Sequence, residues 1–233
     1  MAMRIDVLTL FPEMFPPILG TSIPARAEAC GAIEYHIHDL RVWTEDKHRT
    51  VDDRPFGGGP GMVMRPDVAS DAIDYVKATD SELPIIYLTP RGHPLKQDRI
   101  KQLASGPGVT ILCGRFEGLD ERVLEAQKVE QISLGDFVLS GGETAAIALL
   151  DACIRLLNGI IGQSNSLQEE SFEEGLLEYP LYTRPKDWKG RKVPDVLISG
   201  NHENVRTWRR QQSEANTRER RPDLWASFTS DSA

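Results

Sequence analysis

The chain has 233 residues, room for one large domain or two modest ones, and its 40% hydrophobic and 27% charged content is an ordinary globular balance. A formal net charge of −8, from 27 Lys and Arg against 35 Asp and Glu, excludes a protein that coats polyanions over its whole surface, so any nucleic-acid contact has to come from a local basic patch. Three cysteines, Cys30, Cys113 and Cys153, lack C-x-x-C spacing, which excludes a disulfide framework and a zinc knuckle and fits a reducing compartment.

Strand-like and helix-like segments alternate from the start. Residues 4–10 read as a strand, Pro12 to Phe15 open a helical pattern that ends near Gly20, and a further helix is expected around residues 24–30. A second strand covers residues 33–38; His36 and His38 share one of its faces, but two ligands make no metal site. Residues 48–62 follow, His48-Arg49-Thr50-Val51-Asp52-Asp53-Arg54-Pro55-Phe56-Gly57-Gly58-Gly59-Pro60-Gly61-Met62. Four glycines and two prolines within seven residues rule out a regular helix or central strand there. Two readings stand: a mobile surface loop, or a site for a large polar ligand, which the ordered charges before the glycines favour.

Residues 66–77 are helical, with Val68, Ala72, Ile73 and Val76 on one face. Residues 84–89 are a continuously apolar run, the pattern of a buried parallel strand. A helix at 96–103, a strand at 109–113, a helix at 120–127, a strand at 129–134 and a long helix at 143–157 complete the series. This alternation predicts an α/β fold, a parallel sheet with helices on both faces. Ligands of such sheets sit at the carboxyl ends of the strands. The loops leaving those ends are Thr89-Pro90-Arg91-Gly92, Cys113-Gly114-Arg115-Phe116-Glu117-Gly118 and Ser133-Leu134-Gly135-Asp136.

From Gly159 to about Gly175 the texture turns polar and acidic, as in a linker. Residues 182–188 are turn-rich, and 201–221 read as a helix carrying six arginines against three glutamates, with Trp208 among them. Arg206 to Arg221 is therefore locally basic, either a phosphate-binding face or a solvated one. The most apolar stretch, residues 145–154, is interrupted by Asp151 and is too short to span a bilayer. No secretory signal opens the chain, so a cytoplasmic location is expected.

Neither G-x-x-x-x-G-K-[ST] nor a strand-borne G-x-G-x-x-G is present, so the common phosphate cradles are absent. What remains is a set of glycine loops at strand ends: Gly114 and Gly118, Gly135, and Gly141 with Gly142. They suit a ligand read by main-chain hydrogen bonds and apolar walls, for which Leu88, Phe116, Leu134 and Leu139 are available. Tight turns alone are the competing explanation for any single loop.

The stretch 48–62 joins Leu112-Cys113-Gly114-Arg115-Phe116-Glu117-Gly118-Leu119-Asp120-Glu121-Arg122, Gly135-Asp136-Phe137-Val138-Leu139-Ser140-Gly141-Gly142-Glu143, Tyr182-Thr183-Arg184-Pro185, Leu197-Ile198-Ser199-Gly200-Asn201-His202 and Trp208-Arg209. In these motifs, from about Met3 to Arg221, the chain resembles the bacterial tRNA (guanine-N1)-methyltransferases, a knotted SPOUT-type family. The resemblance implies transfer of a methyl group from S-adenosyl-L-methionine to N1 of the guanosine at tRNA position 37, next to the anticodon. It implies a deep trefoil knot in a cofactor-binding domain over residues 1–160, a flexible linker over 161–175, and a small, mainly helical tRNA-binding domain over 176–233. A homodimer with its active site shared between subunits is implied as well, and magnesium is suggested, although no cage of carboxylates is recognisable.

Carried over residue by residue, the resemblance assigns the donor to Tyr87, Leu88, Thr89, Pro90, Gly114, Phe116, Glu117, Gly118, Ser133, Leu134, Gly135, Asp136, Phe137, Val138, Leu139, Gly141 and Gly142. It assigns the general base to Glu170 and the cation beside the guanine carbonyl to Arg155. RNA contacts fall on Asp52, Arg54, Tyr182, Arg184, His202, Arg209 and Arg210. Glu170 departs from the family's aspartate, with Glu169 as a neighbouring candidate, and Phe116 stands where tyrosine is common. Those departures keep two alternatives in view: a catalytically silent RNA-binding dimer, and a related knotted methyltransferase acting on ribose or ribosomal RNA.

Overall fold

The structure, a computed structural model, describes residues 2–79, 83–161 and 170–231. The chain divides into two compact units, residues 1–162 and 163–233.

In the first unit β1 (Met3–Thr9), β2 (Ile33–Asp39), β5 (Ile85–Pro94), β6 (Gly108–Leu112) and β7 (Glu130–Ser133) form a five-stranded sheet in the order β2-β1-β6-β5-β7. Every neighbouring pair is parallel. Period-two alternation sorts the side chains onto two faces. Met3, Ile5, Val7, Ile86, Val109 and Ile111 pack against α1 (Pro16–Leu19), α2 (Ser22–Ala29), α4 (Gln97–Ser105) and α6 (Glu143–Ile154). Leu8, Ile85, Tyr87 and Leu112 pack on the other face against α3 (Pro66–Thr79) and α5 (Glu121–Ala126). Burial on both faces is why the first half of β5 and β6 read as nearly continuous apolar runs. Side chains such as Leu149 and Ile111 are fully enclosed, and each contributes about 1.5–3 kcal/mol.

β6 follows β5 in the chain but lies between β1 and β5, whereas β7 lies on the far side of β5. Consecutive crossovers therefore run in opposite directions and open a crevice at the carboxyl ends of the central strands.

Two local expectations are corrected. The sequence reading ends the fifth strand at Thr89, yet Leu88 and His93 both pair with Ile132 across a register shift, so residues 89–92 loop out and the strand resumes to Pro94. Pro90 and Gly92 announce the excursion, while the return depends on a partner strand distant in sequence. The helix expected from Pro12 to Gly20 is a 3₁₀ turn at Pro12–Met14 followed by the short α1. The glycine-rich stretch is closed by a small antiparallel pair, β3 (Asp52–Asp53) with β4 (Val63–Met64).

In the second unit, β8 (Asp187–Trp188) and β9 (Arg191–Lys192) form a hairpin, and helices span Asp195–Ile198, His202–Arg220 and Pro222–Asp231. Asn201 caps the long helix by accepting the N–H groups of Glu203 and Asn204, each at 3.1 Å. Of the expected 161–175 linker, residues 162–169, including Glu169, lie outside the described residues. Among the described residues no helix is long and apolar enough to cross a membrane.

Candidate active site

The three excursions from the sheet, residues 89–92 within β5 and the loops after β6 and β7, converge on one cavity of about 290 Å³. Tyr87, Leu88, Thr89 and Pro90 line it from β5, Gly114, Phe116, Glu117 and Gly118 from the β6 loop, and Ser133, Leu134, Gly135, Phe137, Val138, Leu139, Gly141 and Gly142 from the β7 loop. Asp136 is not among the lining residues, whereas Arg91, Arg115, Ile132, Ser140 and Ala145, absent from the sequence-derived set, are.

Close packing between the loops explains two of the glycines. A Cβ at Gly114 would lie 2.5 Å from Cε2 and 2.7 Å from the hydroxyl of Tyr87, whose ring is buried. A Cβ at Gly142 would lie 2.9 Å from the main chain of Cys113 and Gly114, and the Gly142 N–H donates to the Gly114 carbonyl at 2.9 Å. The β6 and β7 loops are thereby held backbone to backbone. Phe116 sits at the rim with φ +59, a conformation that bulky side chains rarely adopt, and remains half exposed. Backbone outliers of this kind concentrate at ligand sites.

The glycine-rich stretch reaches the same place. Glu117 N–H donates to the Met62 carbonyl and Met64 N–H to the Gly118 carbonyl, both at 2.9 Å. Gly61, at φ +81, lies so close to Glu117 that any Cβ would overlap its side chain. Past this seam a second cavity of about 680 Å³ opens, lined by Arg41, His48, Arg49, Thr50 and Asp52 and sharing Arg115, Phe116, Glu117, Leu139 and Ser140 with the first. Arg54 is exposed and lines neither cavity.

Beneath both lies a polar assembly that no local pattern signals. Glu143, the first residue of α6, is wholly buried; it accepts from the Thr9 hydroxyl at 2.9 Å and faces Arg115 Nε at 2.9 Å. That ion pair is close but not aligned as a hydrogen bond. Arg115 also donates to the Ser140 carbonyl at 3.2 Å and lies 4.3 Å from the centre of the Phe11 ring. A carboxylate at a helix N-terminus is favoured by the helix dipole. One guanidinium thus ties β1, the β6 loop and the β7 loop together. Cys113 lies beside it, and burial first, then the Glu143 charge, pushes its thiol well above the ordinary range, so it is no nucleophile.

The remaining expected residues are spread over both units. Arg155 is half-buried at the C-terminal end of α6. Within the second unit Glu170, Arg206, Arg209 and Arg210 line a cleft of about 160 Å³. Arg209 stacks on Tyr179 at 4.7 Å, and Arg210 pairs with Glu174 at 2.7 Å and Glu214 at 2.9 Å. Tyr182 and Trp208 approach with ring centres 6.2 Å apart, and Arg184 and His202 are exposed.

A family profile described as tRNA (Guanine-1)-methyltransferase TrmD matches residues 3–227. Among curated relatives bearing the name tRNA (guanine-N(1)-)-methyltransferase, that of Novosphingobium aromaticivorans is 56% identical, across 97% of this chain and 92% of its own. That of Rhodospirillum rubrum is 55% identical, across 98% and 95% respectively. That of Mesorhizobium japonicum is 54% identical, across 96% and 97%.

Proposed function

The chain belongs to the tRNA (guanine-1)-methyltransferase family and methylates tRNA guanine at N1; we propose that the guanosine is the one at position 37, next to the anticodon, and that the donor is S-adenosyl-L-methionine. The observation that carries the donor assignment is the cavity at the carboxyl ends of β5, β6 and β7. Its volume of about 290 Å³ is near the lower end of the range for small-molecule sites. Leu88, Leu134 and Leu139 offer apolar walls for a nucleoside, and the glycine turns bring main-chain donors and acceptors to its edge. The chemistry of these residues fits the donor.

When bound, S-adenosyl-L-methionine supplies a methyl group already activated on a sulfonium, so no covalent nucleophile of the chain is needed. The task of the protein is to ready the acceptor. Guanine N1 holds a proton at neutral pH, and the Glu170 carboxylate accepts it. The Arg155 guanidinium offsets the negative charge that then develops on the adjacent carbonyl oxygen. Asp52, in the second cavity, helps hold the target base, with Arg54 on the neighbouring RNA backbone. Tyr182, Arg184, His202, Arg209 and Arg210 meet the tRNA, giving an affinity that falls with salt.

The architecture we assign is a trefoil-knotted cofactor domain over residues 1–160, a linker over 161–175 and a helical tRNA-binding domain over 176–233. We assign a cytoplasmic homodimer in which the partner's C-terminal domain helps hold the guanine. The exposed Phe137 and Val138 supply apolar surface for such a contact. Among the described residues no group of three or more His, Cys, Asp or Glu side chains gathers into an ion site, so the steps above are assigned to side chains alone.

The test is incubation with labelled donor and unmodified tRNA bearing guanosine after the anticodon. Label on N1 of that base is the expected result; label on ribose, or none, contradicts the reading. Glu170→Gln is expected to abolish transfer while donor affinity stays near wild type. Near-normal turnover of that variant would remove Glu170 from its role.

A further inference from the structure

The β8–β9 hairpin buries none of its own side chains. It consists of two cross-strand pairs, Asp187 with Lys192 and Trp188 with Arg191, and every residue from 181 to 192 is exposed. A two-stranded hairpin without an apolar face to bury is marginal in water, yet this one is carefully closed. Lys189 and Gly190 occupy the turn with φ +56 and +80, the left-handed pair that matches strand twist. The Asp187 carboxylate accepts the Gly190 N–H at 2.8 Å, and Val193 N–H returns to the Lys186 carbonyl at 2.9 Å.

What this closure presents is an indole. Trp188 is 55% exposed, although tryptophan is ordinarily buried over most of its surface. Lys189 Nζ stands 5.3 Å and Arg191 Cζ 6.0 Å from its ring centre. Lys186 and Lys192 complete a set of four cations, none of which has an acidic partner among the described residues. The one acid, Asp187, is occupied in closing the turn. In a chain of net charge −8, this is an island of positive charge around an aromatic face.

We propose that Trp188 is a stacking platform for an unpaired base of the RNA substrate, with Lys186, Lys189, Arg191 and Lys192 on the adjoining phosphates. The inference rests on the tRNA reading above and adds to it a contact outside the residues assigned there. An aromatic face calls for a splayed base, because bases inside a duplex have no free face to offer. The cations supply the counter-charge that tracks a single-stranded backbone. A loop of the tRNA fits this surface better than its stems do.

The experiment measures binding of unmodified tRNA to the full chain across a salt series, for wild type, Trp188→Ala, Trp188→Phe and a Lys189→Gln/Arg191→Gln double variant. Trp188→Ala is expected to weaken binding about 10-fold without changing the salt slope, and Trp188→Phe to restore most of it. The double variant is expected to reduce the salt slope by about 1.4, roughly 0.7 per single-strand phosphate contact. Amide chemical shifts of the His202–Arg220 helix unchanged in Trp188→Ala would separate a lost contact from a lost fold of the second unit. Trp188→Ala binding tRNA as wild type does would overturn the inference and leave the functional reading standing. A changed oligomer mass in sedimentation, with RNA affinity intact, would overturn it in favour of a protein partner. Wild type failing to bind tRNA at all would remove both.

Discussion

Replacing Glu143 by Gln removes one charge from the assembly under both cavities and leaves its volume nearly unchanged. Breaking a buried ion pair costs about 3–5 kcal/mol when the surviving charge is stranded. Here the survivor is not fully stranded: the Arg115 side chain is 19% exposed, keeps the Ser140 carbonyl and stays over the Phe11 ring. The original pair also lacks hydrogen-bond alignment, and Gln Oε1 still accepts from Thr9. The expected loss is therefore below that range, about 2 kcal/mol of unfolding free energy. Because Arg115 spans the β6 and β7 loops, part of that loss should fall on donor binding, weakening it about 10-fold, or about 1.4 kcal/mol. Urea unfolding gives the first quantity and calorimetric donor titration the second. A cycle with Arg115→Gln and the double variant isolates the pair, with an expected coupling above about 1 kcal/mol. Additivity within about 0.5 kcal/mol, with donor affinity unaltered, would refute the claim that this pair fixes the loops.

Two further variants probe the frame around the site. Gly114→Ala drives a Cβ into the Tyr87 ring, 2.5 Å away; overpacking of that kind costs about 1–3 kcal/mol, so a lower melting temperature and a donor affinity reduced at least about 10-fold are expected, and unchanged affinity would contradict the loop packing described. Asp6 is wholly buried, with His38 Nε2 at 2.8 Å and Arg4 Nε at 2.7 Å. Burial alone would raise its pKa, but hydrogen bonds from His38 and Arg4 outweigh it and hold the carboxyl below 3.8. A folded-state value lower than the unfolded one gives stability that is complete above the unfolded value and lost as pH falls through the folded value. Asp6→Asn is thus expected to cost about 3 kcal/mol near neutrality and to flatten the acid limb of the stability curve. Denaturant melts from neutral to strongly acid pH check this, and parallel curves for the two proteins would sink it.

Much of the sheet was legible because β6 and the first half of β5 are short apolar runs next to Pro84 and Gly108 and the other strands alternate or sit between turns, and apart from the end of β5 the observed bounds fall close to those read from the sequence. The glycine loops pointed to the rim where the cavity lies, since parallel-sheet logic alone places loops 113–118 and 133–142 at the same edge. Arg115 and Glu143 each stand in a motif quoted above, but they were not paired in advance because they lie on separate motifs distant in sequence; a Glu opening the most apolar helix of the chain was the available signal. The β8–β9 hairpin was seen only as turn-rich, since two pairs leave no periodicity, although Lys189-Gly190 is a turn signal. The Pro222–Asp231 helix was missed, although Pro222 at its start and Asp223 in its first turn are ordinary helix-opening residues. The proposed knot could be read from no pattern of residues, because alternation specifies layers and not the threading of one loop through another.

The most direct check is a crystal structure of the full chain with S-adenosyl-L-methionine bound. The donor is expected between residues 87–90, the β6 loop and the β7 loop, its nucleoside against Leu88, Leu134 and Leu139 and its polar atoms on the main chain around Gly114 and Gly141. Donor density elsewhere on the chain, with these loops closed against each other, would contradict the assignment on which the mechanism depends.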